Sequence, residues 1–254
     1  MSEDHYAKLE YRKLIKWDDR LRREWPFLDE VLTSAPSRSV LDLGSGTGEH
    51  ARLLAAHGFE VLGIDSSPSM IEKAAASAGD GARFVLGDMR DLGSVTRERF
   101  GAAICLGNAL PHLRGEDDLR RFASGLREVL LAGAPVVIQI INYDRIEAKR
   151  ERALPLSFLA DPDDPDASII FLRAMELLPD RRIIFMPATL RMRTDREPPI
   201  ELVSSRRVEI RGWRRDELEQ VLRDAGFNAI EIWGSYQKAP FEAEESRDVI
   251  VVAR

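Results

Sequence analysis

The chain has a single cysteine, only four histidines and no long apolar run. Cys105 lies in the stretch A-A-I-C-L without a partner for an internal disulfide, which favours a reducing, cytoplasmic setting. The histidines are scattered and none has a cysteine or histidine at ligand spacing, so we expect no metal. No apolar stretch approaches the roughly 18 residues that cross a bilayer, and the first residues, M-S-E-D-H-Y, lack an apolar signal core. We expect no membrane association.

The chain also lacks the basic excess of a general nucleic-acid binder. Its formal net charge is -6 over 254 residues, which makes nucleic acid an unexpected partner. Hydrophobic residues make up 44% of the chain, enough for one large α/β domain with a smaller lobe. A homo-oligomer is left open by these features.

Short apolar runs alternate with helical patterns between residues 40 and 141. The runs predict buried strands at 40–43, 61–65, 82–88, 102–106 and 135–141. Buried strands separated by helices are typical of a parallel sheet covered on both faces and doubly wound, a Rossmann-like α/β fold. Ligands of such sheets bind beyond the carboxyl ends of the strands, so each loop there is a candidate site.

The pattern changes after Tyr143. Residues 168–175, 182–194 and 200–211 are β-branched or alternating and are separated by proline turns, which predicts an antiparallel insertion forming a lid or wall over the strand ends. A helix and a hairpin then follow. We expect a helical segment at 1–36, a core at 37–144 and 212–254, and an antiparallel β insertion at 145–211.

The stretch V-L-D-L-G-S-G-T-G-E-H carries the first chemical signal. Gly44, Gly46 and Gly48 are spaced G-x-G-x-G, whereas a dinucleotide loop reads G-x-G-x-x-G and would have glycine where Glu49 stands. The stretch also lacks the G-K-S/T of a phosphate-binding loop. Glycine spacing alone does not decide the ligand.

The carboxylates around the glycine loop indicate the charge of its ligand. Asp42 precedes the loop and Glu49 opens the next helix, where a phosphate normally binds. Like charges about 5 Å apart repel by roughly 3 kcal/mol at an effective dielectric near 20. This repulsion argues against a pyrophosphate and favours a ligand with cationic groups.

Two further carboxylates end the next strands. Asp65 follows Gly44 at a spacing that suits a carboxylate accepting both ribose hydroxyls, and Asp88 could accept from an adenine amino group with Met89 packed on the ring. Such a site fits a cationic adenosine without phosphates, and S-adenosylmethionine has this chemistry. The alternative is that Asp42 and Asp65 are helix caps or solvated turn residues.

The motifs V-L-D-L-G-S-G-T-G, G-I-D-S-S-P-S-M-I-E-K-A and G-D-M-R-D resemble the class I S-adenosylmethionine-dependent methyltransferases over residues 40–141. The resemblance implies a seven-stranded sheet whose last strand is antiparallel, S-adenosylmethionine as methyl donor and S-adenosylhomocysteine as product. The cofactor-binding residues expected within this core are Asp42, Gly44, Ser45, Gly46, Gly48, Asp65, Ser66, Asp88, Met89 and Leu106.

Three other motifs, Y-R-K-L-I-K-W-D-D-R, C-L-G-N-A-L-P-H-L and N-Y-D-R-I, are similar to the glycine and glycine/sarcosine N-methyltransferases. This likeness implies that the N-terminal segment covers the cofactor, with Trp17 in the cover and Arg20 paired to the methionine carboxylate. It also implies that Asn108 faces the substrate amine. The family has an arginine for the amino-acid carboxylate where this chain has Ile141, which cannot make that bidentate bond. We therefore expect inefficient methylation of glycine.

Methyl transfer from a sulfonium is an in-line displacement that needs positioning and a dry site. We expect a small-molecule acceptor, an amine, with Asn108, His112 and Tyr143 as catalytic candidates. A neutral amine attacks, so His112 or Tyr143 could accept its proton. The alternatives are a loop histidine bonded to backbone and a tyrosine packed under the insertion. The residues expected to bind the acceptor are Asn108, Ile141, Asn142 and Tyr143.

Residues 173–215 contain eleven arginines, no lysine and six carboxylates, an excess of five positive charges. One interpretation is solvated strand faces whose arginines pair with acidic helices. The other is a wall that an anionic acceptor approaches, including RNA. An RNA or protein methyltransferase and a non-catalytic cofactor-binding regulator therefore remain as alternatives to the small-molecule enzyme.

Overall fold

The computed structural model describes residues 14–254. Within them the α-helices are α1 (Trp17–Thr33), α2 (Glu49–Ala56), α3 (Pro68–Ala76), α4 (Leu92–Val95), α5 (Glu116–Val129), α6 (Tyr143–Ala148) and α7 (Arg215–Asp224). The strands are β1 (Ser39–Leu43), β2 (Glu60–Asp65), β3 (Ala82–Leu86), β4 (Ala102–Cys105), β5 (Val136–Ile141), β6 (Ser157–Ala160), β7 (Ser168–Leu177), β8 (Arg182–Met192), β9 (Ile200–Ser205), β10 (Val208–Arg211), β11 (Ile230–Trp233) and β12 (Asp248–Ala253). Short 3-10 turns lie at Leu110–His112 and Pro179–Arg181. The start of the motif Y-R-K-L-I-K-W-D-D-R and residues 1–13 of the expected helical segment lie outside the described residues.

The central sheet has seven strands in the order β11-β12-β5-β4-β1-β2-β3. Strands β1 to β5 pair in parallel, and β12 runs antiparallel to both β5 and β11. The position of β4 agrees with its composition, because this apolar strand lies at the middle of the sheet, where its residues are buried. The prediction of a doubly wound, mostly parallel sheet with an antiparallel last strand is confirmed.

Two hydrophobic clusters cover the two faces of this sheet. One contains Phe122 of α5, Leu218 of α7 and the buried Trp213. The other contains Phe27 and Leu28 of α1 with side chains of α2. The buried apolar residues of α1 and α5 recur at helical spacing, so each helix packs on the sheet along one apolar stripe.

The insertion is an antiparallel sheet in the order β10-β8-β7-β6, with β9 also paired to β8. The predicted antiparallel insertion is confirmed, with two differences. Strand β6 was not predicted, and the predicted strand 200–211 divides into β9 and β10 at Arg206 and Arg207. Pro187 of β8 lies opposite this break and has no N–H to donate, so the ladder is interrupted there.

Helix α3 begins as its sequence predicts. The Ser67 side chain accepts a hydrogen bond from the Met70 amide, and Pro68 takes the first helical position. This start directs the chain away from the end of β2 and so leaves the β2 carboxyl end open. Among the helices of residues 14–254, none combines the length and the apolar character needed to span a membrane.

Candidate active site

A cavity of about 1370 Å³ lies between the carboxyl ends of the parallel strands and the insertion sheet; we call it the strand-end cavity. Most of the residues predicted for the site line it. They are Trp17, Arg20, Gly44, Ser45, Gly46, Asp65, Ser66, Asp88, Met89, Leu106, Asn108, His112 and Ile141. Four predicted residues are not among those that line it: Asp42, Gly48, Asn142 and Tyr143.

The loop after β1 turns tightly against the end of β2. The amides of Gly44 and Ser45 both donate to the Ile64 carbonyl, at 2.8 and 3.0 Å. Gly44 has a φ of +68°, and a Cβ added there would lie 2.5 Å from the Cβ of Ala109. Any larger residue at Gly44 would therefore push the loop away from the segment that follows β4.

Asp65 holds the other side of the same loop. Its Oδ2 accepts from the Gly46 amide and its Oδ1 from the Ser67 amide, both at 2.9 Å. The carboxylate is partly exposed at the end of β2 and faces the cavity, with Ser66 beside it. Asp65 is thus a structural acceptor for the loop that also lines the cavity.

Asp42 lies beneath the loop rather than in the cavity. It is 2% exposed, and its Oδ2 has no hydrogen-bond partner within residues 14–254. Burial raises the pKa of Asp42 to about 6, helped by the charges of Asp65 and Glu49 and opposed by His50. Glu49 forms an ion pair with Arg52 at 2.8 Å. The charges of Asp42 and Glu49 are therefore not equivalent, because Arg52 balances that of Glu49 and the sequence analysis did not include Arg52.

We expect Asp42→Asn to alter the pH dependence of stability. A carboxyl group whose folded pKa, about 6, lies above its unfolded pKa, near 4, favours folding most when protonated. Wild-type stability should fall as pH rises between these values, so the advantage of the asparagine variant should grow by about 3 kcal/mol from pH 4 to pH 7.

Urea unfolding at a series of pH values measures this difference, with Asp80→Asn at an exposed turn as the matched control. The control should follow the wild-type curve. Parallel curves for wild type and Asp42→Asn would show that the buried carboxyl group does not titrate as its environment implies.

Asp88 lies beyond β3, as the sequence predicted, but its carboxylate is already paired with Arg90. Arg90 Nε donates to both carboxylate oxygens at 2.9 Å, and this hydrogen bond holds the pKa of Asp88 below its usual value. Met89 and Leu86 line the cavity next to it, and Leu86 is 56% exposed. Leu86 was not predicted; an apolar residue ending a strand gives no signal of its exposure.

Helix α1 closes one end of the cavity through a buried charged cluster. Glu24, 2% exposed, accepts from Arg20 Nε at 2.8 Å and lies 2.7 Å from His50 Nε2. Burial by itself would raise the pKa of Glu24, but the bonds from His50 and Arg20 hold it below its usual value. The Trp17 ring meets His50 edge-on, and the Arg20 guanidinium lies on Gly107. These contacts join α1 to the glycine-loop helix and to the end of β4.

Asn108 projects into the cavity after β4 with a φ of +66°, a left-handed conformation that asparagine tolerates better than most residues. Its Oδ1 accepts from the Ile141 amide at 3.0 Å, and its Nδ2 donates to the Tyr143 hydroxyl at 2.8 Å. Tyr143 is buried, which raises the pKa of its phenol. The Tyr143 hydroxyl therefore orients the Asn108 amide from outside the cavity, and Ile141 adds an apolar side chain to the cavity lining.

Asn142 and His112 have different surroundings. The Asn142 side chain is inaccessible: it caps α6 and donates to the carbonyls of Ala243 and Ser246 at 2.8 Å. The structure thus gives Asn142 a structural position away from the predicted acceptor site. His112 ends the 3-10 turn after Asn108 and is exposed at the cavity lining.

Three further lining residues that the sequence analysis did not predict are Gln139, Tyr236 and Asp248. Gln139 accepts from the Gly107 amide at 2.9 Å and donates to Asp248 at 2.7 Å, while the buried Tyr236 hydroxyl has no hydrogen-bond partner among the described residues. Burial raises the pKa of Asp248. A signal for Asp248 did exist: because β12 is antiparallel, its first residue lies at the edge where the parallel strands end.

The insertion forms the opposite wall. Its contribution is apolar apart from two arginines and Ser157. The apolar side chains lie on β6, β7, β8 and β10 and in the segment before β6: Leu154, Leu156, Phe158, Phe171, Phe185, Pro187, Val208 and Ile210. The cavity thus has a polar, acid-rich floor on the core and a largely apolar wall on the insertion.

Residues 40–133 match the sequence model of the methyltransferase domain family. The chain also resembles the solved structure of the CcbJ methyltransferase from Streptomyces caelestis, with a TM-score of 0.73, 25% identity, and coverage of 99% of this chain and 96% of that one. The fold and the match over residues 40–133 support a class I S-adenosylmethionine-dependent methyltransferase.

Two similar proteins are N-methyltransferases. The glycine/sarcosine N-methyltransferase of Parasynechococcus marenigrum strain WH8102 is 34% identical over 137 residues, which cover 53% of this chain and 49% of that protein. The glycine/sarcosine/dimethylglycine N-methyltransferase of Actinopolyspora halophila is 27% identical over 241 residues, 91% of this chain and 38% of that protein. The chain thus spans half or less of the length of these relatives, and the resemblance to N-methyltransferases is confirmed at that level.

Proposed function

We propose that the protein transfers the methyl group of S-adenosylmethionine to a small-molecule amine and releases S-adenosylhomocysteine. One observation carries the proposal: a single cavity runs from the glycine loop past Asn108 to the insertion wall. Donor and acceptor would share one cavity, which is the arrangement that an in-line displacement requires.

The residues of the cavity fit this donor chemically. Asp65 is an acceptor at the distance along the loop where ribose hydroxyls need one, and the buried charge of Asp42 favours a cation above the loop. Arg20 at the α1 end suits a carboxylate. The buried hydroxyls of Ser45 and Tyr236 have no hydrogen-bond partner in the part of the chain that the structure describes, and both residues line the same space, so they offer polar atoms for a ligand.

The remaining contacts follow from position. Met89 and Leu86 would lie along the adenine ring, with Asp88 and Ser66 at its polar edges, because all four line the cavity beyond β2 and β3. Leu106 would pack beneath the donor at the end of β4. Trp17 would cover it from α1. Gly48 would act indirectly, since it opens α2 with a φ of +82° and does not line the cavity.

S-adenosylmethionine, when bound, supplies a methyl group activated by a sulfonium for displacement by a nucleophile. The chain orients that nucleophile through Asn108. When Nδ2 donates to the Tyr143 hydroxyl, Oδ1 accepts from the Ile141 amide and keeps one lone pair for an N–H of the acceptor. A neutral amine held this way presents its own lone pair to the donor.

Proton removal falls to His112 or to solvent. The raised pKa of the buried Tyr143 disfavours its phenolate, so Tyr143 is a positioning residue in this proposal. His112 is exposed at the cavity lining, where a histidine can take a proton and pass it to water. Asn142 takes no part in the chemistry proposed here.

A screen of labelled-methyl transfer against amine metabolites, with the methylated atom assigned, tests the proposal. We expect transfer to nitrogen of at least one small amine, at a rate abolished by excess S-adenosylhomocysteine. Retention of RNA on a filter at low salt is the comparison for a polymer substrate. Labelled product only on RNA or protein, or micromolar cofactor binding with no transfer to any acceptor, would contradict the proposal.

We expect glycine to be a poor acceptor. The apolar Ile141 lines the cavity and cannot make a bidentate bond to an α-carboxylate. Loss of such a bond should place glycine about 100-fold below the best amine of the screen in kcat/KM. Calorimetric titration of glycine into the S-adenosylhomocysteine complex should show no tight binding.

Ile141→Arg and Ile141→Leu form the matched pair for this prediction. The arginine variant should gain affinity for glycine and the leucine variant should not. Tight glycine binding or ordinary glycine turnover by the wild-type protein would show the expectation to be wrong.

A further inference from the structure

The arginines of residues 173–215 fall into two groups. Seven of the eleven form ion pairs with carboxylates, as Arg181 does with Asp144 at 2.7 Å and Arg193 with Asp195 at 2.8 Å. These seven agree with the interpretation of solvated, acid-paired strand faces. Arg206 is one of the other four, and no carboxylate of residues 14–254 forms an ion pair with it.

Arg206 stands in a row with Arg173 on the sheet face that lines the cavity. Arg173 lies opposite Pro187 in the β7–β8 register, and the Arg206 amide donates to the Pro187 carbonyl at 3.0 Å. The registers on either side place Arg206 directly opposite Pro187. Residues opposite one another point to the same face, so the two guanidinium groups flank Pro187, with Cα atoms about 10 Å apart across two strand spacings.

The cavity lining around the pair is largely apolar on this wall. Residues 145–211, all of which the structure describes, contribute two charged side chains to the cavity lining, Arg173 and Arg206. Phe185 and Val208 lie on the same face in the next row of the sheet. Arg173 is held in place by bonds to the Pro155 carbonyl and the Ser157 hydroxyl. An arginine held against an apolar surface binds an oxyanion more strongly than one in open solvent.

The opposite side of the cavity carries charges of both signs. Glu24, Asp65 and Asp248 line it on the core, near the glycine loop and α1. The amine part of a ligand would therefore meet carboxylates only on the core side, whereas the only charged side chains that the insertion offers to its anionic part are cationic.

We propose that Arg173 and Arg206 form an oxyanion subsite for the methyl acceptor, which is then an amine carrying a carboxylate or phosphate remote from the reacting nitrogen. This inference rests on the proposed function. Ile141 cannot bind an α-carboxylate, and in this proposal the insertion wall binds an anion that lies farther from the reacting nitrogen. A small aromatic or aliphatic body between the two groups suits the apolar side chains of the wall.

Three probes of one skeleton test the subsite: benzylamine, 4-(aminomethyl)benzoate and 4-(aminomethyl)phenyl phosphate. Each is titrated calorimetrically into the protein saturated with S-adenosylhomocysteine. We expect at least one anionic probe to bind about tenfold or more tightly than benzylamine, with a preference that weakens as salt is raised. The two anionic arms distinguish a carboxylate from a phosphate.

Variants assign the preference to the pair. Arg206→Ala and Arg173→Ala should bring the anionic and neutral probes to near parity, whereas Arg206→Lys should keep part of the preference through its charge. Arg207→Ala is the matched control, since Arg207 is exposed, adjacent and absent from the cavity lining. Unchanged affinity for S-adenosylhomocysteine shows that each variant is folded.

The proposal is wrong if no anionic probe binds more tightly than benzylamine, or if Arg206→Ala and Arg173→Ala both keep the wild-type preference. Failure of the proposed function has a different signature, because it would appear as absence of methyl transfer to every amine of the screen. The binding preference is measured with the product-bound protein and needs no turnover.

Discussion

Asp65→Asn should weaken the binding of S-adenosylmethionine by about 100-fold, the loss of one to two charge-assisted hydrogen bonds. The Asp65 carboxylate accepts from the Gly46 and Ser67 amides and lines the cavity. An asparagine at this place keeps one acceptor oxygen, but its NH₂ group opposes either the loop amide or a ribose hydroxyl. Calorimetric titration with S-adenosylmethionine and S-adenosylhomocysteine gives the two affinities.

The control for this variant is Asp80→Asn, at an exposed turn between α3 and β3. It should bind both ligands as the wild type does. The competing interpretation, that Asp65 only caps the turn into α3, makes a separate expectation: Asp65→Asn would lower the midpoint of unfolding yet leave affinity nearly unchanged in the folded protein. An affinity within about threefold of wild type would favour that interpretation.

Local patterns were enough to predict the carboxyl ends of the parallel strands. The strands around Asp65, Asp88 and Asn108 are short, apolar and followed by helices or turns, so their ends are visible without a structure. The topology of a doubly wound sheet then brings these ends to one edge. For this reason the glycine loop and the predicted residues after β2, β3 and β4 meet in the strand-end cavity.

The partners of those residues could not be predicted, because they come from distant segments. Glu24 reaches His50 from α1, and Asp248 reaches Gln139 from the last strand, 109 positions away. Arg90, beside Asp88, could pair with it or face solvent, and no local pattern separates these outcomes. Pairing of this kind depends on packing, which determines the side chains that are buried together.

Asn142 shows the opposite limitation. It follows a strand end, so the strand-end rule placed it in the site, yet its amide is used up by the start of α6 and by the carbonyls of the C-terminal loop. An asparagine is both a good N-cap and a good ligand contact. Sequence position alone does not separate the two functions. In the insertion, alternation predicted strands but not which face is turned to the cavity, since both faces contain arginine and apolar residues.

Asn108→Gly should lower kcat of methyl transfer by about 100-fold while the affinity for S-adenosylmethionine changes little. Glycine adopts the φ of +66° freely, so this variant removes the side chain without adding backbone strain, unlike alanine. What is lost is the Oδ1 acceptor beside the reacting nitrogen, which is held in one orientation by the Ile141 amide bond to Oδ1 and by the Nδ2 bond to the Tyr143 hydroxyl. The measurement is kcat with the best amine of the screen, together with the cofactor affinity from calorimetry.

Tyr143→Phe separates positioning from contact. It keeps the buried ring and removes the hydroxyl that fixes the Asn108 amide, so we expect a smaller loss of kcat, about three- to tenfold, with little change in KM. In the double variant the loss of the hydroxyl should add nothing to the loss of Asn108, because the hydroxyl acts through that amide. Independent losses in the double variant would mean that Tyr143 acts on the reaction by another path. Full activity of Asn108→Gly would remove Asn108 from the mechanism, since the acceptor would then be oriented by the walls of the cavity alone.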